Sequence, residues 1–144
     1  MKKIAIYHNL TSGGSKRELY EFTRRFNKKN FTLHLYSHNE QSEQFLNLTK
    51  LVDKVFFYRV LMLKNISFTL PLFKPIINLL IALINISRLI KISKIMGNDI
   101  DSCSYDFVFL HHNKDYVQSP FLLRYLKTKT VYFCNEPQRK FYDQ

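Results

Sequence analysis

Glycine is scarce in this chain, three residues in 144, and two of the three stand side by side as Gly13 and Gly14. Cysteine is scarcer: Cys103 and Cys134 lie far apart, without metal-ligand or redox spacing, which predicts two reduced, buried thiols. Acidic side chains number 11 against 22 Lys and Arg, a net charge of +11. That imbalance points to an anionic partner, a phosphorylated substrate or acidic lipid. Nucleic acid would satisfy the charge, but no nucleic-acid fold signature is present, so this class is set aside. There is no residue-level repeat, low-complexity stretch or internal linker, and residues 1–144 read as one domain. A secretion signal is missing as well. "MKKIAIYHN" offers only a few apolar residues before His8, short of the roughly 7 to 15 required, so the protein is expected to face the cytosol.

What is present is a sequence 46% apolar and 15% aromatic, enough to build a core. "KIAIYHN" is a short apolar run bounded by turn residues, a buried strand. In "SKRELYEFTRRFNKKN", Leu19, Phe22 and Phe26 recur at helical spacing with charges opposite. Ser15 followed by Glu18 forms a capping box, which predicts a helix starting at Ser15. "FTLHLYSH" and "KVFFY" read as strands, with a weakly helical stretch at 40–50 between them. A long helix follows from Pro71 to Met96, with Pro75 near its start and Gly97 just past its end. "YDFVFLHH" is a fourth strand and "KTVYFC" a fifth. Between them "SPFLLRYL" opens a helix, Ser119 as N-cap and Pro120 at the first helical position. Strands alternating with helices predict a doubly wound, mainly parallel α/β sheet of Rossmann-like type.

In that fold, ligands bind at the carboxyl ends of the strands. Gly13 and Gly14 sit between the first strand and its helix. Glycine there permits positive φ and removes the Cβ that would block close approach of a ligand to the backbone. The N-terminal amides of the helix, from Ser15 onward, suit a phosphate, and Lys16 and Arg17 put full charges on its first turn. A tight turn beside a solvated basic face accounts for the same residues. Neither a Gly-x-Gly-x-x-Gly fingerprint nor a P-loop is present. His111 and His112 close the fourth strand, where a histidine can exchange a proton, bond a sugar hydroxyl, or serve the fold alone. Glu136, held extended by Pro137 and close to Arg139, either grips hydroxyls or forms an ion pair at a turn. No spacing suggests a metal site.

Taken together, "GGSKRELYEF", "YDFVFLHHNKDYVQSPFLLRYL" and "TVYFCNEPQRKFYD" resemble the N-terminal half of family 4 glycosyltransferases, retaining enzymes with the GT-B fold. The resemblance is carried by the Gly-Gly pair, the strand-end histidine, and Cys134, Glu136, Pro137, Arg139 and Tyr142, and it is loose between residues 26 and 105. It implies metal-free transfer of a sugar from a nucleotide-sugar donor to a glycan or lipid-linked acceptor, in a cleft between two Rossmann-like domains. On that resemblance, Gly13 and Gly14, with Ser15 and Lys16, approach the donor diphosphate. His111, or His112 one step on, contacts the transferred sugar, and Glu136 and Arg139 line the acceptor side. The family's nucleotide-binding C-terminal half would follow residue 144. The resemblance therefore implies a fragment, a truncated product or a split subunit, completed in cis or trans. A non-enzymatic α/β module that binds anions or a partner protein is the competing reading.

The middle of the chain is basic and apolar. Residues 54–98 hold seven basic side chains and no acidic one. The cleanest apolar run, "PIINLLIALINI", is 12 residues long and falls short of the roughly 20 needed to span a bilayer. Residues 66–96 are therefore expected either to cover the sheet as a core helix or to lie on an anionic membrane.

Overall fold

The computed structural model describes residues 1–26, 29–38, 40–65, 73–112 and 120–134. Five parallel strands form one sheet: β1 (Lys2–Tyr7), β2 (Phe31–Ser37), β3 (Lys54–Phe57), β4 (Phe107–His111) and β5 (Thr130–Phe133), in the order β3-β2-β1-β4-β5. This is the α/β, Rossmann-like arrangement expected from the alternation of strand and helix. The order reverses between β1 and β4, where Tyr7 stands beside Leu110.

The pleat of β1 sorts the core. Ile4 and Ile6 pack with Leu33, Leu35 and Phe109 beneath Leu19 of α1 (Gly14–Arg24). Ala5 and Tyr7 point the other way, packing with Tyr36, Val108 and Leu110 against Met96 and Ile100 of α2 (Lys74–Ser102). Short 3-10 helices, Glu40–Glu43 and Leu48–Lys50, occupy the weakly helical stretch.

Three expectations are corrected. Ser15 does not cap α1: the helix begins one residue earlier, with Gly13 at the N-cap and no side-chain cap bond. Gly13 has φ 96°, which fits glycine alone without strain, and its carbonyl accepts from the Arg17 amide at 3.2 Å. The segment after β4 forms a 3-10 helix, Phe121–Tyr125, with Pro120 at its N-cap rather than inside a helix, while Ser119 lies outside the described residues. The thiols are not buried: Cys103 is half-buried and Cys134 exposed, and neither forms a disulfide among the described residues.

Gly97 is a fourth correction, with a packing cause. It lies inside α2, which runs on to Ser102. A Cβ at Gly97 would stand 3.0 Å from Tyr125 Cβ and 3.1 Å from the Tyr125 carbonyl oxygen. The glycine admits the Tyr125 backbone to the helix surface and does not end the helix. Replacing Gly97 by Ala should therefore destabilise the fold by about 1–3 kcal/mol, because overpacking outweighs the roughly 1 kcal/mol gained in helix propensity. Urea unfolding of the two proteins checks this, and a more stable G97A protein would refute the close packing.

Candidate functional site

The carboxyl edge of the sheet gathers four of the five histidines. His8 follows β1, His38 follows β2, and His111 and His112 close β4. All four are buried. His8 and His111 flank the point where strand order reverses, the position at which open α/β sheets bind ligands.

The turn between β1 and α1 is held from below by a buried ion cluster. Lys16 Nζ lies 2.7 Å from Glu43 Oε1, and His8 Nε2 lies 2.8 Å from the same oxygen. The Leu48 amide donates to Glu43 Oε2 at 2.6 Å. The Leu10 amide donates to His8 Nδ1 at 3.2 Å, so the imidazole proton belongs on Nε2, directed at Glu43. The 3.2 Å approach of Lys16 to His8 then joins two donors that share one acceptor. Burial lowers the His8 pKa, opposed by its bond to Glu43. Burial also lowers Lys16, against the pull of Glu43. Burial acts to raise Glu43, but the hydrogen bonds and charges of His8 and Lys16 outweigh it and hold the carboxyl below its usual range.

This geometry changes the role of Lys16. Its ammonium is turned inward and fully buried, so it does not offer a first-turn charge to a phosphate; Arg17 is the exposed first-turn cation. Gly13 and Gly14 are exposed and Ser15 is half-buried. A Cβ on Gly14 would meet nothing within 4 Å, so packing does not demand glycine there.

His111 is the unusual group. Its side chain is buried, yet neither ring nitrogen has a hydrogen-bond partner among the described residues. The His112 amide is committed to the Phe133 carbonyl at 3.1 Å. Burial, with the neighbouring His112 and His8, pushes the His111 pKa down to about 3, so the imidazole is neutral at pH 7. Its ring packs 4.6 Å from that of His112 and 5.5 Å from Phe133. With Glu18, Leu19, Phe22, Phe109 and Phe133 it lines a cavity of about 170 Å³ between α1 and the β4–β5 edge. A second, more polar cleft of about 390 Å³ lies past β2 and β3, lined by His38, Glu40 and Arg59 among others. Tyr7 Oη is bonded to His38 Nε2 at 2.9 Å.

The fold thus brings the Gly13–Gly14 turn and His111 to one edge. Glu136 and Arg139 lie outside the described residues, so their placement is not part of this site. Among the described residues, no group of three or more His, Cys, Asp or Glu side chains is arranged to hold a metal ion. Sequence reasoning missed His8 and Glu43. His8 ends its strand as His111 ends its own, a signal that was available. Glu43 carries no local signal, because its partner Lys16 is 27 residues away.

Removing the Glu43 charge should cost about 3–5 kcal/mol in E43Q, since the Lys16 ammonium is left buried without its counter-ion. Adding Lys16→Met to E43Q should recover part of that loss in denaturant unfolding; a double variant weaker than E43Q would refute the account. The histidines set a pH dependence. An unfolded imidazole binds its proton near 6.5, whereas folded His111 does so only near 3. The unfolded state therefore holds more protons in that window, and stability falls as pH drops through it. His111 alone should remove about 2 kcal/mol between pH 7 and pH 5, with His8 and His34 acting in the same direction. Unfolding midpoints of H111Q should show a flatter pH profile than the parent protein.

Comparison with protein-family models, curated proteins and solved structures finds no match to this chain.

Proposed function

We propose that this chain is the acceptor-side α/β domain of a glycosyltransferase, its carboxyl edge forming one wall of the cleft in which a sugar passes from a nucleotide sugar to an acceptor hydroxyl. The observation that carries this reading is His111: buried at the point where strand order reverses, neutral, and with no hydrogen-bond partner for either ring nitrogen among the described residues. Unpaired buried polar groups are costly, and they persist where a ligand completes them. A neutral imidazole offers one donor and one acceptor, a match for a sugar hydroxyl, which both donates and accepts. Gly14 supports the same reading. Space around its missing Cβ is open, leaving the peptide edge at the start of α1 accessible to a diphosphate oxygen.

In the transfer, the bond from the anomeric carbon to the diphosphate breaks and a bond to the acceptor oxygen forms. The acceptor's proton leaves with the phosphate. Within this domain, His111 would orient the transferred sugar, and the exposed amides after Gly13 would balance charge building on the departing diphosphate.

A single wall cannot hold the donor. Residues 1–144 alone should show no sugar transfer, and fusion or co-expression with a donor-binding half should restore it. In the restored enzyme, His111→Ala should lower turnover about a hundredfold. Gly14→Ala should raise KM for the donor without lowering thermal stability, because nothing in the fold opposes the added methyl. Robust turnover by the isolated chain, or an unimpaired H111A enzyme, would sink the reading.

A further inference from the structure

Helix α2 is longer than the sheet it covers. Its 29 residues extend about 43 Å, whereas the longest strand, the 7 residues of β2, covers about 23 Å. The excess projects beyond the carboxyl edge. Tyr58, just after β3, bonds Asp99; the Leu61 carbonyl accepts from Arg88; and Leu63 pairs through both backbone groups with the Asn85 amide at 2.9 Å. The strap after β3 therefore runs antiparallel to α2, away from the sheet, and the first turns of α2 reach further still.

That projecting half is apolar where it should be polar. Ile76, Leu79, Leu80 and Leu83 are each more than half exposed, and Leu61 on the strap is 78% exposed. Contiguous exposed apolar faces of this kind mark interaction surfaces. The outward stripe continues at helical spacing: Ile76, Leu80 and Leu83 give way to Ser87, Lys91 and Lys94. An apolar half is thus followed on the same face by a basic band, inside a segment with seven cations and no acid between residues 54 and 98.

We propose that the projecting half of α2 docks in the headgroup–acyl boundary of an anionic bilayer, with Ile76, Leu80 and Leu83 in the acyl layer and Lys91 and Lys94 at the lipid phosphates. Charge complementarity selects this occupant: a basic band without one carboxylate repels cationic surfaces and matches an anionic headgroup layer. Arg59, Arg88 and Lys91 also line a groove of about 190 Å³ between strap and helix, where Arg59 is paired with Glu40 and Arg88 with the Leu61 carbonyl. By length and composition the helix could cross a membrane, with a mean hydropathy of 1.8 over its most apolar stretch. It does not span, for two reasons. The uncharged stretch between Lys74 and Arg88 is 13 residues, about 20 Å against a hydrocarbon core of about 30 Å. Leu89, Met96 and Ile100 in its second half are buried against the domain. Membrane docking requires no assumption about the reaction.

Flotation of the full chain with phosphatidylcholine vesicles, with and without phosphatidylglycerol, tests the proposal. The protein should float with anionic vesicles, and less so at high salt. Lys91→Gln with Lys94→Gln should weaken that partition about 25-fold, taking roughly fivefold per surface cation. Leu80→Asn with Leu83→Asn should abolish flotation while far-UV circular dichroism and the melting temperature stay unchanged, since both side chains are exposed. Equal recovery with neutral and anionic vesicles would overturn the proposal. So would flotation that survives loss of both leucines, or resistance to alkaline extraction, the sign of a span. A dimer that dissociates in the leucine variant, without vesicle binding by the parent, would assign the face to a second copy and also overturn it.

Discussion

The carboxyl edge of this domain depends on one buried carboxylate. Glu43 sits in the connection between β2 and β3, yet it neutralises Lys16 on the first turn of α1, accepts from His8 at the end of β1, and takes the Leu48 amide. Three separate stretches of chain are thereby tied to two oxygens. A charge this deep is costly unless every partner is in place, so losing any one partner leaves the others uncompensated. It also settles where the helix start can lie. With Lys16 drawn inward and Gly13 at φ 96°, Gly13 and Gly14 are left exposed at the edge. The glycine pair noticed in the sequence is thus one end of an arrangement whose other end is an acid with no local mark.

The two members of that pair answer different needs. Gly13 is glycine because its backbone demands it, whereas Gly14 meets no such demand from the fold. Gly97 is glycine for a third reason, the approach of Tyr125. Local pattern does not separate these cases. A glycine near the end of an apolar helical run predicts a stop, and only the chain segment 28 residues later shows that the helix continues past it.

That contrast describes how far the sequence could be read. The strands were legible because each is a short apolar run bounded by turn residues, and their alternation with helices gave a parallel sheet. Pro75 at the start of α2 was legible for the same local reason, a fixed φ and a missing donor. The cap at Ser15 failed because an ion pair and a left-handed glycine, both invisible to a four-residue window, set the helix start instead. Of the site, the glycine turn and His111 could be found from their positions after apolar runs. His8 carried the same positional signal, but its bond to Glu43, like the inward turn of Lys16, depends on a partner brought close only by folding.

Asn85 connects the core to the projecting half of α2. It is buried in an otherwise apolar stretch, a cost met by pairing both its amide groups with the Leu63 backbone. That pairing fastens the strap along one side of the helix. The opposite side is left with Ile76, Leu80 and Leu83 exposed. Were the first half of α2 built only to cover the sheet, its turns before Asn85 would have no sheet to cover. They extend past the edge on which the Gly13–Gly14 turn and His111 also lie. A surface that takes up the apolar face would therefore sit on the same side of the domain as the candidate site.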